Sequence, residues 1–308
     1  MEGDGLATVL RSLRLESAFL SRSHFRGRWG VIGSSSAGKM IFHGIAAGDC
    51  YVRREAGGQD WRLAAGDVVI FTRGEEHRMT SASDADVVRV TQVPVRRVGE
   101  MPLFELGAAG TETRLVCGTF RLDHPAHASV VELLPPVLVG KPRTDAQRRW
   151  ASATVALIEE ELGGGAPTPH TTSLADSLFV SALHSAAAES APRASGLLAA
   201  ARDERIGRAL ALIHTDPRTS WTVERLASQA AMSRTRFFER FTSLVGEPPA
   251  KYIARWRTLV AADLLRGKSL STAEVAERVG YADEDSLSKV FKRYLGMSPT
   301  EYRRAEPA

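Results

Sequence analysis

The chain has 308 residues, 44% hydrophobic and 25% charged, with a formal net charge of +4; it is too long for one small core and ordinary for about two globular domains. No run approaches the roughly 20 apolar residues of a membrane span, and two cysteines, Cys50 and Cys117, make no disulfide framework. The start, Met1-Glu-Gly-Asp-Gly5, lacks the basic and apolar regions of a signal peptide, so a cytoplasmic protein is expected.

The charge is uneven. Residues 202–308 carry 19 Lys+Arg against 14 Asp+Glu, and residues 1–201 carry 21 against 22. The positive excess lies on the C-terminal third, where attraction to a phosphate backbone would need it.

Residues 24–98 read as short strands. Apolar or period-two runs (Met40–Ile45, Tyr51–Arg54, Asp67–Phe71, Val87–Val93) are broken by turns such as Ala47-Gly-Asp49 and Ala65-Gly-Asp67, which predicts a sandwich or barrel. Residues 99–113 read as a loop, and Arg114–Phe120 as the closing strand. Gly33-Ser-Ser-Ser-Ala-Gly-Lys39 has phosphate-loop spacing. Met40 stands where Ser or Thr would hold magnesium, and a strand rather than a helix is predicted to follow, so the segment reads as a loop between strands. A barrel mouth is a concave site. His43 and His77, with Cys117 or Cys50, offer imidazole and thiolate donors suited to zinc or a related divalent ion. Ordinary buried side chains are the alternative, as is a redox pair Cys50–Cys117, which requires Cα atoms within about 7 Å. His124 and His127 have metal-like spacing but read as a proline-bent loop. His24, His170, His184 and His214 are isolated.

From Asp145 the period changes. Ala151, Val155, Ile158 and Leu162 form a helical stripe with Trp150, Thr154 and Leu157 beside it, ended by Gly163-Gly-Gly-Ala-Pro-Thr-Pro169. Leu174, Leu178, Phe179, Ala182 and Leu183 mark a second helix. Ala186–Ala201, rich in Ala and Ser, reads as a linker.

Two helix-turn-helix patterns follow. In the first, Val223, Leu226, Ala227 and Ala230 form a buried face, Ser233 caps the next helix, and Phe237 and Phe241 lie four apart on its inner side. In the second, Val275, Ala276 and Val279 match the first helix, Gly280 supplies the turn, and Leu287 and Phe291 repeat the spacing. Between them, Pro248–Gly267 reads as one helix of roughly 28 Å. Such a rod can hold two recognition helices near the ~34 Å repeat of B-DNA, in successive major grooves.

These residues resemble the AraC/XylS family of bacterial transcriptional regulators. The resemblance covers about residues 203–304 and rests on Trp221-Thr-Val-Glu-Arg-Leu-Ala227, Met232-Ser-Arg-Thr-Arg-Phe237, Val245-Gly-Glu-Pro-Pro-Ala-Lys-Tyr252, Arg255-Trp-Arg257, Ala276-Glu-Arg-Val-Gly-Tyr281, Phe291-Lys-Arg293 and Gly296-Met-Ser-Pro-Thr-Glu-Tyr-Arg303. It implies base-facing positions at Thr235, Arg236, Phe238 and Glu239, and at Glu284, Asp285, Ser288 and Lys289. Arg and Lys suit guanine edges, Glu suits cytosine, and Ser or Thr suits either partner. Arg234, Arg240, Lys251, Arg255, Lys292 and Arg293 read as phosphate contacts or solvated charges.

Upstream, Gly66-Asp-Val-Val-Ile-Phe-Thr-Arg-Gly-Glu-Glu-His77 resembles the second signature of the cupin barrel, with Thr72 where Pro is common. Phe42-His-Gly-Ile-Ala-Ala-Gly-Asp-Cys50 resembles the first, without its full set of metal ligands. With Leu115–Pro125 and Leu133-Leu-Pro-Pro136, residues 6–140 look like the cupin-type sensor half of some AraC-type regulators. The expectation is an α+β multidomain chain: a cupin-like β-barrel over 1–140, a helical dimerisation segment over 141–190, a linker over 191–202 and an all-α double helix-turn-helix domain over 203–305, with units at 222–244 and 271–295. The expected function is sequence-specific regulation of transcription in response to a small molecule, metal or oxidant. Promoter DNA, an effector, a second copy of the chain and RNA polymerase are the expected partners. The alternative is a cupin metalloenzyme fused to a DNA-binding tail.

Overall fold

Alternating and buried apolar runs build the N-terminal half as strands: β1 (Leu15–Arg26), β2 (Gly30–Gly33), β3 (Met40–Ala47), β4 (Asp49–Arg54), β5 (Trp61–Ala64), β6 (Val68–Phe71), β7 (His77–Thr80), β8 (Val88–Arg89), β9 (Val95–Val98), β10 (Met101–Leu106), β11 (Glu112–Leu122) and β12 (Val137–Gly140). The computed structural model describes residues 15–36, 38–122, 134–189, 196–266 and 270–304. They divide into two units, residues 15–121 with 135–188, and residues from Glu189 onward.

In the N-terminal unit, one sheet runs β12-β6-β3-β11-β1-β10-β9 and the other β5-β4-β7-β2-β8. Most defined pairings are antiparallel, while β1–β10 and β2–β8 are parallel. Phe25, Trp29, Ile45, Val52, Leu63, Phe71 and Leu115 are among the side chains that fill the core. Burying such side chains contributes about 1.5–3 kcal/mol each before entropy is counted. Strand β3 is buried on both faces from Met40 to Ile45, because helix α1 (Asp145–Gly163) covers its outer side. Gly44 allows that approach, since a Cβ there would lie 3.1 Å from Val155. Thr144 and Gln147 start α1 with a capping box. Ala151, Val155, Ile158 and Leu162 are buried as the stripe predicts, and so is Thr154, whereas Trp150 and Leu157 are exposed. Helix α2 (Pro169–Glu189) buries Leu178, Phe179, Ala182 and Leu183.

Several expectations change. The predicted loop over 99–113 contains β10, whose Met101 and Leu103 are buried. The run Val87–Val93 is a two-residue strand followed by a 3-10 turn, Val90–Gln92. Strand β1 begins well before residue 24. As expected, Lys39 leads into β3, a strand and not a helix.

The C-terminal unit is helical. Part of the predicted linker is helix α3 (Leu197–Arg202), in which Ala200 is fully buried. The amide of Gly196, at its start, donates to the Leu244 carbonyl (2.6 Å). Then come α4 (Glu204–Thr215), α5 (Val223–Gln229), α6 (Arg234–Val245), α7 (Pro249–Arg266), α8 (Thr272–Arg278), α9 (Glu284–Leu295) and α10 (Pro299–Arg304). Gly267, the predicted end of the rod, lies outside the described residues.

Candidate functional site

The two helix-turn-helix units, α5–α6 and α8–α9, are built alike. Thr222 and Ser271 cap the first helices, and Ser233 and Asp283 cap the second. Each turn closes with the same pair of backbone bonds: Ala231 N–H to Ser228 and Met232 N–H to Ala227 in one, Gly280 N–H to Glu277 and Tyr281 N–H to Ala276 in the other. That is a Schellman closure, which requires a left-handed residue after the helix. Gly280 fills the position without strain at φ 85°, whereas Ala231 occupies it at φ 50°. The second turn carries one extra residue, Ala282, before its cap.

Phe237 and Phe241 of α6, and Leu287 and Phe291 of α9, are fully buried. The opposite faces are therefore presented outward. Thr235, Arg236, Phe238 and Glu239 are exposed, as are Glu284, Asp285 and Lys289, with Ser288 half-buried. Phe238 is 42% exposed, unusual for an aromatic side chain. Around them Arg234 pairs with Glu224 at 2.7 Å, Arg240 Nε donates to Asp203 at 2.8 Å, and Lys292 and Arg293 are exposed. Lys251 is exposed and lies 3.9 Å from Glu247.

Arg255 departs from the expectation. It is buried, pairs with the buried Glu247 and lies over the Tyr252 ring. A guanidinium committed to a buried carboxylate is not free to follow a phosphate backbone, so Arg255 holds the start of α7 in place.

In the N-terminal unit, His43 on β3 stands opposite Cys117 on β11, and His77 opens β7 in the other sheet. The His77 Nδ1–H donates to the Glu75 carbonyl (2.9 Å). A carbonyl only accepts, so in the neutral ring His77 Nε2 carries the lone pair. It takes the Nε2–H of His43 at 2.7 Å. His43 Nδ1 is then an acceptor, and the Cys117 thiol donates to it at 3.0 Å. Each group supplies one proton, and the chain is complete with both rings neutral. Burial and the neighbouring His77 push His43 well below the usual histidine range. Burial also lowers His77, against the pull of the Glu75 carbonyl, Glu55 and Glu76. Burial raises the Cys117 thiol to about 12, although hydrogen bonds from Ser23 and Ser21 act the other way.

This geometry does not assemble the expected metal site. Cys117 and His77 approach opposite nitrogens of the His43 ring, so one ion cannot take all three. Cys50 lies on β4 in the other sheet: it pairs with Leu63 and is fully buried among apolar side chains, and burial, with Asp49, Cys117 and Asp67, raises its thiol. Among the described residues no three His, Cys, Asp or Glu side chains form a metal-binding group. His124 and His127 lie outside the described residues.

Sequence reasoning missed a second polar cluster. Buried Glu159 of α1 receives the His24 ring at 2.9 Å, Arg114 at 3.1 Å and Arg22 at 3.4 Å. The His24 hydrogen bond, with Arg114 and Arg22, holds its carboxyl below the usual range. A Glu inside the apolar stripe of α1 was the signal available.

Comparison with known proteins matches these two units. A family model described as Cupin matches residues 4–188, and one described as Helix-turn-helix domain matches residues 226–305. An AraC-like transcription regulator of Streptomyces antibioticus is 32% identical over 98% of each chain. The chain belongs to the AraC-like transcription regulators. A second AraC-like regulator, from Streptomyces lividans, is 33% identical over 98% of both chains. Among solved structures, the DNA-binding domain of AdpA in complex with a target DNA is 36% identical, covering 32% of this chain and 88% of that one with a TM-score of 0.31. This AraC-like regulator is thus a transcription regulator with a DNA-binding helix-turn-helix domain and a cupin N-terminal domain. No helix of the described residues is long and apolar enough to cross a membrane.

Proposed function

We propose that this AraC-like regulator reads a bipartite promoter site with both units and changes its affinity when a small molecule binds the cupin domain. The observation that carries the reading is the pair of matched, capped units whose polar faces point outward while Phe237, Phe241, Leu287 and Phe291 anchor them. Thr235, Arg236, Phe238 and Glu239 read bases in the first half-site, Phe238 by contact with a thymine methyl. Glu284, Asp285, Ser288 and Lys289 read the second. Arg234, Arg240, Lys251, Lys292 and Arg293 steady the backbone. Asp283, Glu284 and Asp285 suit the helix dipole yet repel phosphates, so the second unit contributes less affinity than the first. Selection of bound duplexes from a random pool tests this: two recurring half-sites are expected, and absence of any sequence preference at physiological salt refutes it.

A small molecule is favoured over the other signals on chemical grounds. The imidazoles of His43 and His77 are spent on each other, and raised thiol pKa values leave little thiolate for oxidation. Operator affinity should therefore respond to a metabolite and not to zinc or peroxide; a response to either of the latter refutes this choice. Signal passes by population shift, through unequal affinity of the effector for two states. Trp150 and Leu157, exposed on α1 at 41% and 39%, support pairing of two copies through that helix. Action in the cytoplasm, contact with RNA polymerase and a non-enzymatic role complete the proposal. Turnover by the purified chain would revive the cupin-enzyme reading.

A further inference from the structure

The two reader helices sit on one unit, but a shared unit does not by itself fix their spacing. Arg257, half-buried on α7, is placed to do so. Its Nε donates to the Pro217 carbonyl at 2.9 Å, Nη2 to the Thr219 carbonyl at 3.0 Å and Nη1 to the Gly280 carbonyl at 3.0 Å. Its guanidinium also lies 5.4 Å from the centroid of the Tyr281 ring. Pro217 and Thr219 belong to the segment that enters the first unit. Thr222, three residues beyond Thr219, already caps α5, and Trp221 is tied back to that segment through Asp216 and Thr219. Gly280 is the left-handed turn residue of the second unit. The two segments touch so closely that a Cβ on Gly280 would fall 2.6 Å from the Arg218 carbonyl and 2.7 Å from Arg257 Nη2. A further tie, Arg218 to Glu277 at 2.7 Å, is exposed at both ends and so contributes little.

We propose that Arg257 is a positioning residue for DNA reading: it joins the entry of the first helix-turn-helix unit to the turn of the second and so sets the half-site spacing that the protein accepts. Only a planar fork of fixed donors meets three carbonyls in three directions; a lysine ammonium on a flexible stem does not. Arg257 touches neither bases nor phosphates in this role. Its effect is on coupling between the half-sites.

The test uses the full chain and its selected operator, with one base pair inserted or deleted between the half-sites. The wild type should lose at least tenfold in affinity on either change. In Arg257→Lys the optimal operator should bind about tenfold more weakly, a single half-site should bind as in the wild type, and the penalty for altered spacing should shrink to about threefold or less. Loss of stability alone would lower all three duplexes together and overturn the proposal. Should Arg257→Lys not fold, the wild-type spacing series still decides: equal binding to all spacings refutes the lock. Failure to select any operator would instead strike at the DNA-reading proposal above.

Discussion

The neutral chain Cys117–His43–His77 makes the N-terminal unit sensitive to acid, and the size of the effect follows from the linkage between protonation and folding. Unfolded histidine titrates near pH 6.5. Burial holds folded His43 well below that value, so between the two values the unfolded chain binds the proton and the folded chain does not. Stability is then complete above about pH 7.5 and is lost as the pH falls through 6.5, until the folded group itself protonates. From pH 7.5 to 5.5 the unfolded state gains about 1.4 kcal/mol per histidine that stays neutral when folded. His43 contributes about 1.4 kcal/mol and His77, also lowered, up to as much again. Cys50, fully buried in the same unit, gives a local probe. A short thiol-labelling pulse along a urea gradient, with Cys50 resolved by mass spectrometry, reports unfolding of this unit without contribution from the helical one. His43→Gln should lose about 1.4 kcal/mol less than the wild type over this pH interval. Equal losses in the two proteins would refute the reasoning, because the proton would then be taken up elsewhere.

Other expectations are independent of that chain. Glu159→Ala leaves Arg22 and Arg114 beside an empty site and should cost about 3–5 kcal/mol, measured by the same labelling. The lowered pKa of Glu159 adds stability that is present above about pH 4.5 and is lost as the pH falls through its folded value. Ala231→Gly relieves a left-handed residue at φ 50° and should stabilise the helical unit by up to about 1 kcal/mol. Gly280→Ala adds both strain and a clash with the Arg218 carbonyl and should destabilise it; calorimetry separates the two signs. Arg236→Ala should weaken operator binding by about 1–3 kcal/mol, and Lys289→Ala by clearly less, in gel-shift titrations; equal losses count against unequal units.

The helical half was legible because its information is local. A four-residue spacing such as Phe237/Phe241 places both rings on one face of α6, and caps such as Ser233 act within one turn. Arg255 was misread because charge in a sequence does not announce burial. Its partner Glu247 lies eight residues away, across a helix start, and each ion makes the other tolerable. Arg257, two residues on, stood in a motif that carried the family resemblance, but its role had no signal, since its partners are backbone carbonyls and any residue supplies those.

The sheet half was less legible for a related reason. Strand β1 has Phe19, Ser21, Ser23 and Phe25 buried at alternate positions, with Leu20 half-exposed between them and Arg22 buried against Glu159. Its polarity pattern therefore opposes the period-two rule. The cause is what the strand faces. Ser21 and Ser23 hydrogen bond to Cys117 on one side, while Arg22 and His24 meet Glu159 on the other. Each of these polar side chains finds a partner only in a residue distant in sequence, as burial demands. A pattern rule scores each residue against water or oil. A strand between a thiol–imidazole chain and a buried carboxylate faces neither, so the positions that escaped the rule are those nearest the polar interior of the cupin domain.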